Sequence, residues 1–305
     1  MMYLGFDTSN YTTSVAAYDG EKIIQYKKLL EVKKGERGLR QSETLFQHTV
    51  NLPDLISRLE YSKIDAVGVS TRPRNIDGSY MPCFLAGINA ASSAAYSADC
   101  PLYRTSHQVG HILAALYSVG RLDLINERFI AFHVSGGTTE ALLITPDSEE
   151  IIKAELIAES TDLKAGKAID RAGVMLGLDF PCGKELDALS LKSDRTFNIT
   201  PSMNGLNCSL SGIENKAKQM FENNEKSEDI AKFVISSVCA SIDKMTEKIL
   251  SHYGALPLVY AGGVMSNTII KQTITDKYGA LFASPEYSCD NAAGIAIYAY
   301  LKHIK

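Results

Sequence analysis

The chain opens with three short runs rich in Val, Ile, Tyr and Thr, at residues 2–9, 12–18 and 22–30. The turn-forming pairs Ser9-Asn10 and Asp19-Gly20 separate them. β-Branched and aromatic residues broken by such pairs predict three strands in hairpin order. The period then changes: Leu45, Val50, Leu52, Leu55, Ile56 and Leu59 recur at helical spacing over residues 43–60. Asp65 to Ser70 predicts a buried strand, residues 84–97 an apolar helix rich in Ala and Ser, and residues 106–118 a second helix.

The pattern restarts at residues 128–134, 139–145 and 150–158, which again predict three consecutive strands. A shift of 126 positions lays Phe6 on Phe132, Ser9 on Ser135 and Thr12-Thr13 on Thr138-Thr139. Predicted helices at 166–176, 183–191, 213–221 and 228–252 follow. A strand at 257–261, a helix at 266–277, a strand at 280–283 and a helix at about 290–302 complete the chain. The polar stretch Glu222 to Asp229 reads as a loop between helices. The duplication implies an α/β chain of two similar lobes with a central cleft. The expected lobes are residues 1–126 and 127–305, the last helix being free to pack back on the first lobe. Each lobe would aim its first turn, at residues 7–10 and 135–138, toward the cleft. A cleft between lobes is the default place for a ligand, and turn amides can bind phosphate oxygens.

Composition narrows the class. A chain of 305 residues can bury a large core without disulfide staples. With 31 basic and 35 acidic residues the net charge is -4, which excludes a generally basic nucleic-acid coat but not a local patch. No apolar run approaches the roughly 18 residues of a membrane helix. The first residues carry no basic segment and reach Asp7 early, against a signal peptide. The six cysteines form no C-x-x-C pair, so the expectation is reduced thiols in a cytoplasmic protein.

Several strings carry candidate chemistry. In His107-Gln-Val-Gly-His111 the two imidazoles share one helix face and can clamp one metal ion. The same pair serves equally if one histidine caps the helix and the other packs. Gln108 stands where a zincin protease has its glutamate base, so this is not that protease site. His133 and Asp290 are candidates for further ligands, although His133 also suits a satisfied interior position. Val134-Ser-Gly-Gly-Thr-Thr139 allows close ligand approach or a plain hairpin turn. Ala261-Gly-Gly-Val-Met-Ser-Asn267 leads from strand to helix, where amides can meet a nucleotide or simply pack. In Ala165-Gly-Lys-Ala-Ile-Asp170 the aspartate could accept from a ribose or merely solvate a helix. Neither a Walker A loop nor a Rossmann G-x-G-x-x-G is present, so another loop set would hold any nucleotide.

In order and spacing these strings resemble the TsaD/Gcp/YgjD family, formerly called O-sialoglycoprotein endopeptidases or glycoproteases. Leu4-Gly-Phe-Asp-Thr-Ser9, Phe180-Pro-Cys-Gly183, Leu210-Ser-Gly212 and Ser288-Cys-Asp-Asn-Ala-Ala293 extend the match from Leu4 to Tyr300. The resemblance implies the two-lobed actin/Hsp70/sugar-kinase-like (ASKHA) fold. It also implies transfer of a threonylcarbamoyl group from an adenylate to N6 of the adenine beside the anticodon of tRNA. By that likeness His107, His111, His133 and Asp290 hold one divalent ion, iron or zinc. His133, Val134, Ser135, Gly136, Gly137, Asp170, Gly183, Asp187 and Asn267 contact an adenine nucleotide or threonylcarbamoyl-adenylate. Implied partners are tRNA and, as in the family, a metal-less paralogue and a small ATPase; a homodimer stays open, and no membrane is expected.

The chain departs from the family at Asn10-Tyr11-Thr12, where an acidic pair is usual, and at Thr71-Arg-Pro-Arg74, where a Gly-Pro-Gly turn is usual. Gly166-Lys167-Ala168 replaces Gly-Glu-Ala. These changes mark a divergent paralogue. They keep open a nucleotide-binding or regulatory protein with another acceptor; the metalloendopeptidase of the old name is the third reading. Lys27 to Arg40 holds six basic residues and two acids, and with Arg72 and Arg74 it offers an RNA-backbone patch or a solvated face.

Overall fold

The computed structural model describes all residues except 10, 33–38, 61–62, 77 and 290. The chain divides into two compact units. The first comprises Met1–Ile125, Pro146–Ala154 and Glu286–Lys305, and the second Asn126–Thr145 and Glu155–Pro285.

In the first unit, strands β1 (Tyr3–Asp7), β2 (Thr12–Tyr18), β3 (Ile23–Leu29), β4 (Ala66–Arg72) and β5 (Leu102–Ser106) form one sheet in the order β3-β2-β1-β4-β5. The β1–β2 and β2–β3 pairs are antiparallel, and the β1–β4 and β4–β5 pairs parallel. Both faces of the central strands are covered, which is why β1 and β2 are buried at every position. Leu4, Phe6, Val67 and Val69 join Leu52 and Leu55 of α1 (Gln41–Ser57) and Ala91 and Ala95 of α2 (Phe84–Ser97) in one core. The alternate residues Gly5 and Gly68 face the last helix, whose Ala296 and Ile295 backbone atoms occupy the space of their missing Cβ atoms. That helix is α9 here (Ala293–Ile304), and it crosses α3 (His107–Ser118) where Gly110 meets Gly294.

The second unit repeats the plan. Strands β6 (Phe129–Val134), β7 (Thr139–Asp147), β8 (Ile151–Glu159), β11 (Leu258–Ala261) and β12 (Leu281–Phe282) run β12-β11-β6-β7-β8. Every pair of the first hairpin is reproduced with the 126-residue shift. Tyr3 opposite Tyr18 becomes Phe129 opposite Ile144, and Asp7 opposite Ser14 becomes His133 opposite Glu140. Phe132, Tyr260 and Phe282 stack across three neighbouring strands at centroid distances of 4.5 and 5.1 Å. Helix α7 (Ser227–Tyr253) backs this sheet with Val234, Val238, Ile242, Met245 and Ile249, all buried. Helices α4 (Ala165–Met175), α5 (Gly183–Ser190), α6 (Ser211–Glu222) and α8 (Thr268–Tyr278), with the short hairpin β9 (Ser202–Asn204) and β10 (Asn207–Ser209), complete the unit. Together the two sheets give the expected α/β actin/Hsp70/sugar-kinase-like fold.

Three sequence expectations change. Val50, expected on the inner face of α1, is 59% exposed. The helix expected from 106 starts at His107, and Ser106 ends a strand over residues 102–106 to which the sequence assigns no element. The helix expected from 266 starts at Thr268, after a 3-10 turn over Gly263–Ser266. Among the described residues no helix is long and apolar enough to cross a membrane.

Candidate functional site

The second unit holds a pocket of about 460 Å³. Its walls come from five separate stretches of chain, four of which carry residues singled out in the sequence. Gly136 lies in the β6–β7 turn, Asp170 on α4, Gly183 and Asp187 on α5, and Asn267 just before α8. All five are among the nucleotide-contact positions expected from the sequence. Gly166, Lys184 and Gly263 line it as well.

The hairpin turn is drawn tight. The Ser135 N–H donates to the Thr138 carbonyl at 2.7 Å, and the Ser135 hydroxyl accepts from the Gly137 and Thr138 amides at 3.3 and 3.2 Å. The Gly136 amide takes no part in these bonds. Helix α4 starts directly against the turn: Gly166 N–H donates to Ser135 carbonyl at 3.1 Å, and a Cβ on Gly166 would stand 2.6 Å from Gly136 Cα. Gly262 has φ +101°, and a side chain there would run into the Val134 carbonyl. These two glycines let a helix start and a strand end meet at the turn, so only backbone lines that wall.

The polar wall is cross-braced. Asp187 accepts from the Asn267 side-chain amide at 2.8 Å, the Thr268 N–H at 3.1 Å and the Thr268 hydroxyl at 2.8 Å. Asn267 in turn caps α8, its Oδ1 accepting from the Ile270 N–H at 3.1 Å. Asp187 and Asn267 therefore fix one another and the start of α8. Asp170 Oδ1 accepts from Cys182 N–H at 3.0 Å, tying α4 to the start of α5 and leaving Oδ2 for another donor.

The histidine pair lies in the first unit. His107 and His111 sit one turn apart on α3, ring centroids 4.3 Å apart. Ser106 caps this helix by accepting from Val109 N–H at 3.3 Å, so neither histidine serves as the cap. His107 Nδ1 lies 2.8 Å from Oδ2 of Asp7, whose side chain is fully buried at the end of β1. Ser9 and Ser70 donate to the same carboxylate. A carboxylate on one imidazole nitrogen fixes ring orientation and raises basicity, the usual surrounding of a metal-binding histidine. The donor set of α3 thus fits an ion such as zinc or ferrous iron. Among the described residues no three His, Cys, Asp or Glu side chains converge as a ligand group. Asp290 and Asn10 lie outside the described residues. His133 is half-buried at the end of β6, in the second unit, with Val134 buried beside it.

The family model for TsaD, tRNA N6-adenosine threonylcarbamoyltransferase, matches residues 40–297. The chain belongs to this family. The tRNA N6-adenosine threonylcarbamoyltransferase of Ligilactobacillus salivarius is 30% identical, over 98% of this chain and 91% of that protein. Component A of the (R)-2-hydroxyglutaryl-CoA dehydratase of Acidaminococcus fermentans shares the fold at 16% identity, with TM-score 0.57 and full coverage of both chains. A glucokinase from Streptomyces griseus shares it at 12% identity and TM-score 0.52, covering 99% of each chain. The TsaD family is a family of transferases.

Two of the departures from the TsaD family pattern can be placed. Lys167 is exposed on α4, one residue after Gly166. Thr71 and Arg72 end β4 and Pro73 and Arg74 follow it, with Arg72 Nε donating to Asn75 Oδ1 at 3.0 Å. Of the basic stretch, Lys27 and Lys28 lie on β3, Lys27 donating to the Glu286 carbonyl at 3.2 Å; residues 33–38 lie outside the described residues. Sequence reading assigned no role to Asp7, Thr268 or Lys184. Asp7 carried a usable signal: an ionisable residue ending a wholly apolar strand needs a partner.

Proposed function

We propose that this chain transfers the threonylcarbamoyl group of threonylcarbamoyl-adenylate to N6 of the adenine beside the anticodon of tRNA, in the cytoplasm. One observation carries the reading beyond family membership. Gly136, Asp170, Gly183, Asp187 and Asn267, drawn from four stretches of chain, line one pocket. In this reading Asp170 Oδ2 accepts from a ribose hydroxyl, and the Gly136 amide faces the phosphate. The brace between Asp187 and Asn267 holds the wall on which the adenosine rests. The N6 amine attacks the donor's carbonyl carbon, the carbonyl–oxygen bond to the phosphate breaks, AMP leaves, and the amine gives up one proton. Holding the two reactants in line supplies much of the acceleration, and fixed amides offset developing charge. His107 and His111 would hold a divalent ion, which when bound supplies Lewis-acid polarisation of a donor oxygen. Asp7 keeps the His107 ring turned for that role. RNA readout of a single base calls for a splayed, single-stranded adenine, as an anticodon loop presents.

The test is to incubate the purified chain with zinc or ferrous iron, threonylcarbamoyl-adenylate and unmodified tRNA. Mass spectrometry of the tRNA nucleosides then reads the outcome. Threonylcarbamoyl-adenosine supports the reading; unchanged adenosine, with nucleotide still bound, supports a binding or regulatory paralogue.

A further inference from the structure

Among the described residues, the pocket of the second unit has one cationic side chain on its wall, Lys184, in the first turn of α5. Both acids among its described lining residues accept hydrogen bonds from the protein. Asp187 takes three hydrogen bonds from Asn267 and Thr268, and Asp170 takes one from Cys182. Among the described residues no carboxylate pairs with Lys184. Lys184 is exposed at the pocket wall, and an ammonium there without an ion-pair partner favours an anionic ligand group. Gly136 lines the same pocket, and among the described residues its amide donates no hydrogen bond. Asp170 and Lys184 thus give the pocket an acceptor suited to a ribose hydroxyl and a cation suited to an anionic group.

We propose that Lys184 is a specificity-determining residue that contacts the phosphate of the bound adenylate. It sets the preference of this pocket for nucleotide over nucleoside. The proposal rests on the reading of the pocket as the adenylate site. The flexible ammonium acts as a point charge, so an arginine preserves the effect and a neutral side chain removes it.

Calorimetric titration of the full chain with adenosine and with AMP, for the parent, Lys184→Gln and Lys184→Arg, tests both layers separately. The expected parent binds AMP about tenfold more tightly than adenosine, a typical gain for one charge-assisted hydrogen bond. Lys184→Gln should lose that margin while keeping its adenosine affinity, and Lys184→Arg should retain it. The AMP affinity of the parent should fall with added KCl, and that of Lys184→Gln should fall much less. If the parent prefers AMP and Lys184→Gln prefers it equally, Lys184 has no such role and the pocket reading stands. If the parent binds neither ligand, the pocket reading and the Lys184 proposal fall together. Equal loss of adenosine and AMP in Lys184→Gln also overturns the proposal, since it marks a general change of the pocket.

Discussion

His107 Nδ1 lies 2.8 Å from Oδ2 of Asp7, a carboxylate with no exposed side-chain surface. The contact joins the end of the central strand β1 to the first residue of α3, 100 positions away. Through it the sheet sets the orientation of the imidazole. Replacing Asp7 with Asn keeps the shape and removes the charge. Zinc affinity should fall about 10- to 100-fold, the usual effect of losing a carboxylate behind a histidine ligand. Chelator competition on parent and Asp7→Asn measures this, and equal affinities would separate Asp7 from any metal role.

Gly262 holds φ +101° and ψ 153°, a conformation that only glycine adopts without strain, and its missing Cβ is occupied by the Val134 carbonyl. Gly262→Ala should cost about 1–3 kcal/mol, the range for enforced backbone strain, plus the displacement of β6. Its neighbour Gly263 has open space around it, so Gly263→Ala should change stability by less than about 1 kcal/mol. Urea unfolding of the two variants gives the comparison.

The second hairpin shows how much the sequence could carry. The 126-residue shift appeared as a handful of matched residues, yet it holds at each of the five backbone pairs from Tyr3–Tyr18 to Asp7–Ser14. Six residues separate the last matched pair in each hairpin, and loop length fixes hairpin register where strands buried on both faces show no alternation. The helices were legible within three residues at each end, since a long period averages over single exceptions. Val50 was such an exception: at 100° per residue it falls roughly opposite Leu52 and Leu59, and it is exposed. Strands β5 (five residues), β9 (three) and β10 (three) are too short to show a period. The pocket positions came from motif order, because nothing in local pattern says that Asp170, Asp187 and Asn267 meet. The brace of Asp187 on Thr268 and the pairing of Asp7 with His107 are long-range facts of folding, invisible to periodicity.

Asp162 offers a pH test. Burial works against its ionisation, but bonds from Ser209, Ser211, Leu210 and Leu163 outweigh it and hold the carboxyl well below the usual carboxylate range. Ser209 Oγ donates at 2.5 Å and Leu210 N–H at 2.8 Å, at the start of α6. A carboxyl whose folded pKa is depressed binds fewer protons in the folded state. Its contribution is complete above the unfolded value of about 3.9 and is lost as pH falls below it toward the folded value. Thermal unfolding followed from pH 6 to pH 3 should show a drop in Tm that is shallower in Asp162→Asn. At pH 7 that variant should lose about 0.5–2 kcal/mol, the worth of a helix cap. Parallel acid limbs in the two proteins would show that Asp162 does not couple folding to protons.

Asp187 should matter for stability as well as for the pocket. Asp187→Ala removes the acceptor of three hydrogen bonds and frees the Asn267 side chain and the start of α8. A loss of about 1–3 kcal/mol in urea unfolding is expected for hydrogen bonds to a charged group. AMP affinity should fall in the same variant. An unchanged midpoint would mean that the brace carries no energy.

The transfer itself is tested most directly by its stoichiometry. With purified chain, divalent metal, threonylcarbamoyl-adenylate and unmodified tRNA, one threonylcarbamoyl-adenosine should form in tRNA for each AMP released above the background of spontaneous donor hydrolysis. His107→Ala should abolish both together. AMP release that tRNA does not stimulate, with no modified nucleoside in the digest, would contradict the assignment of this chain as the transferase.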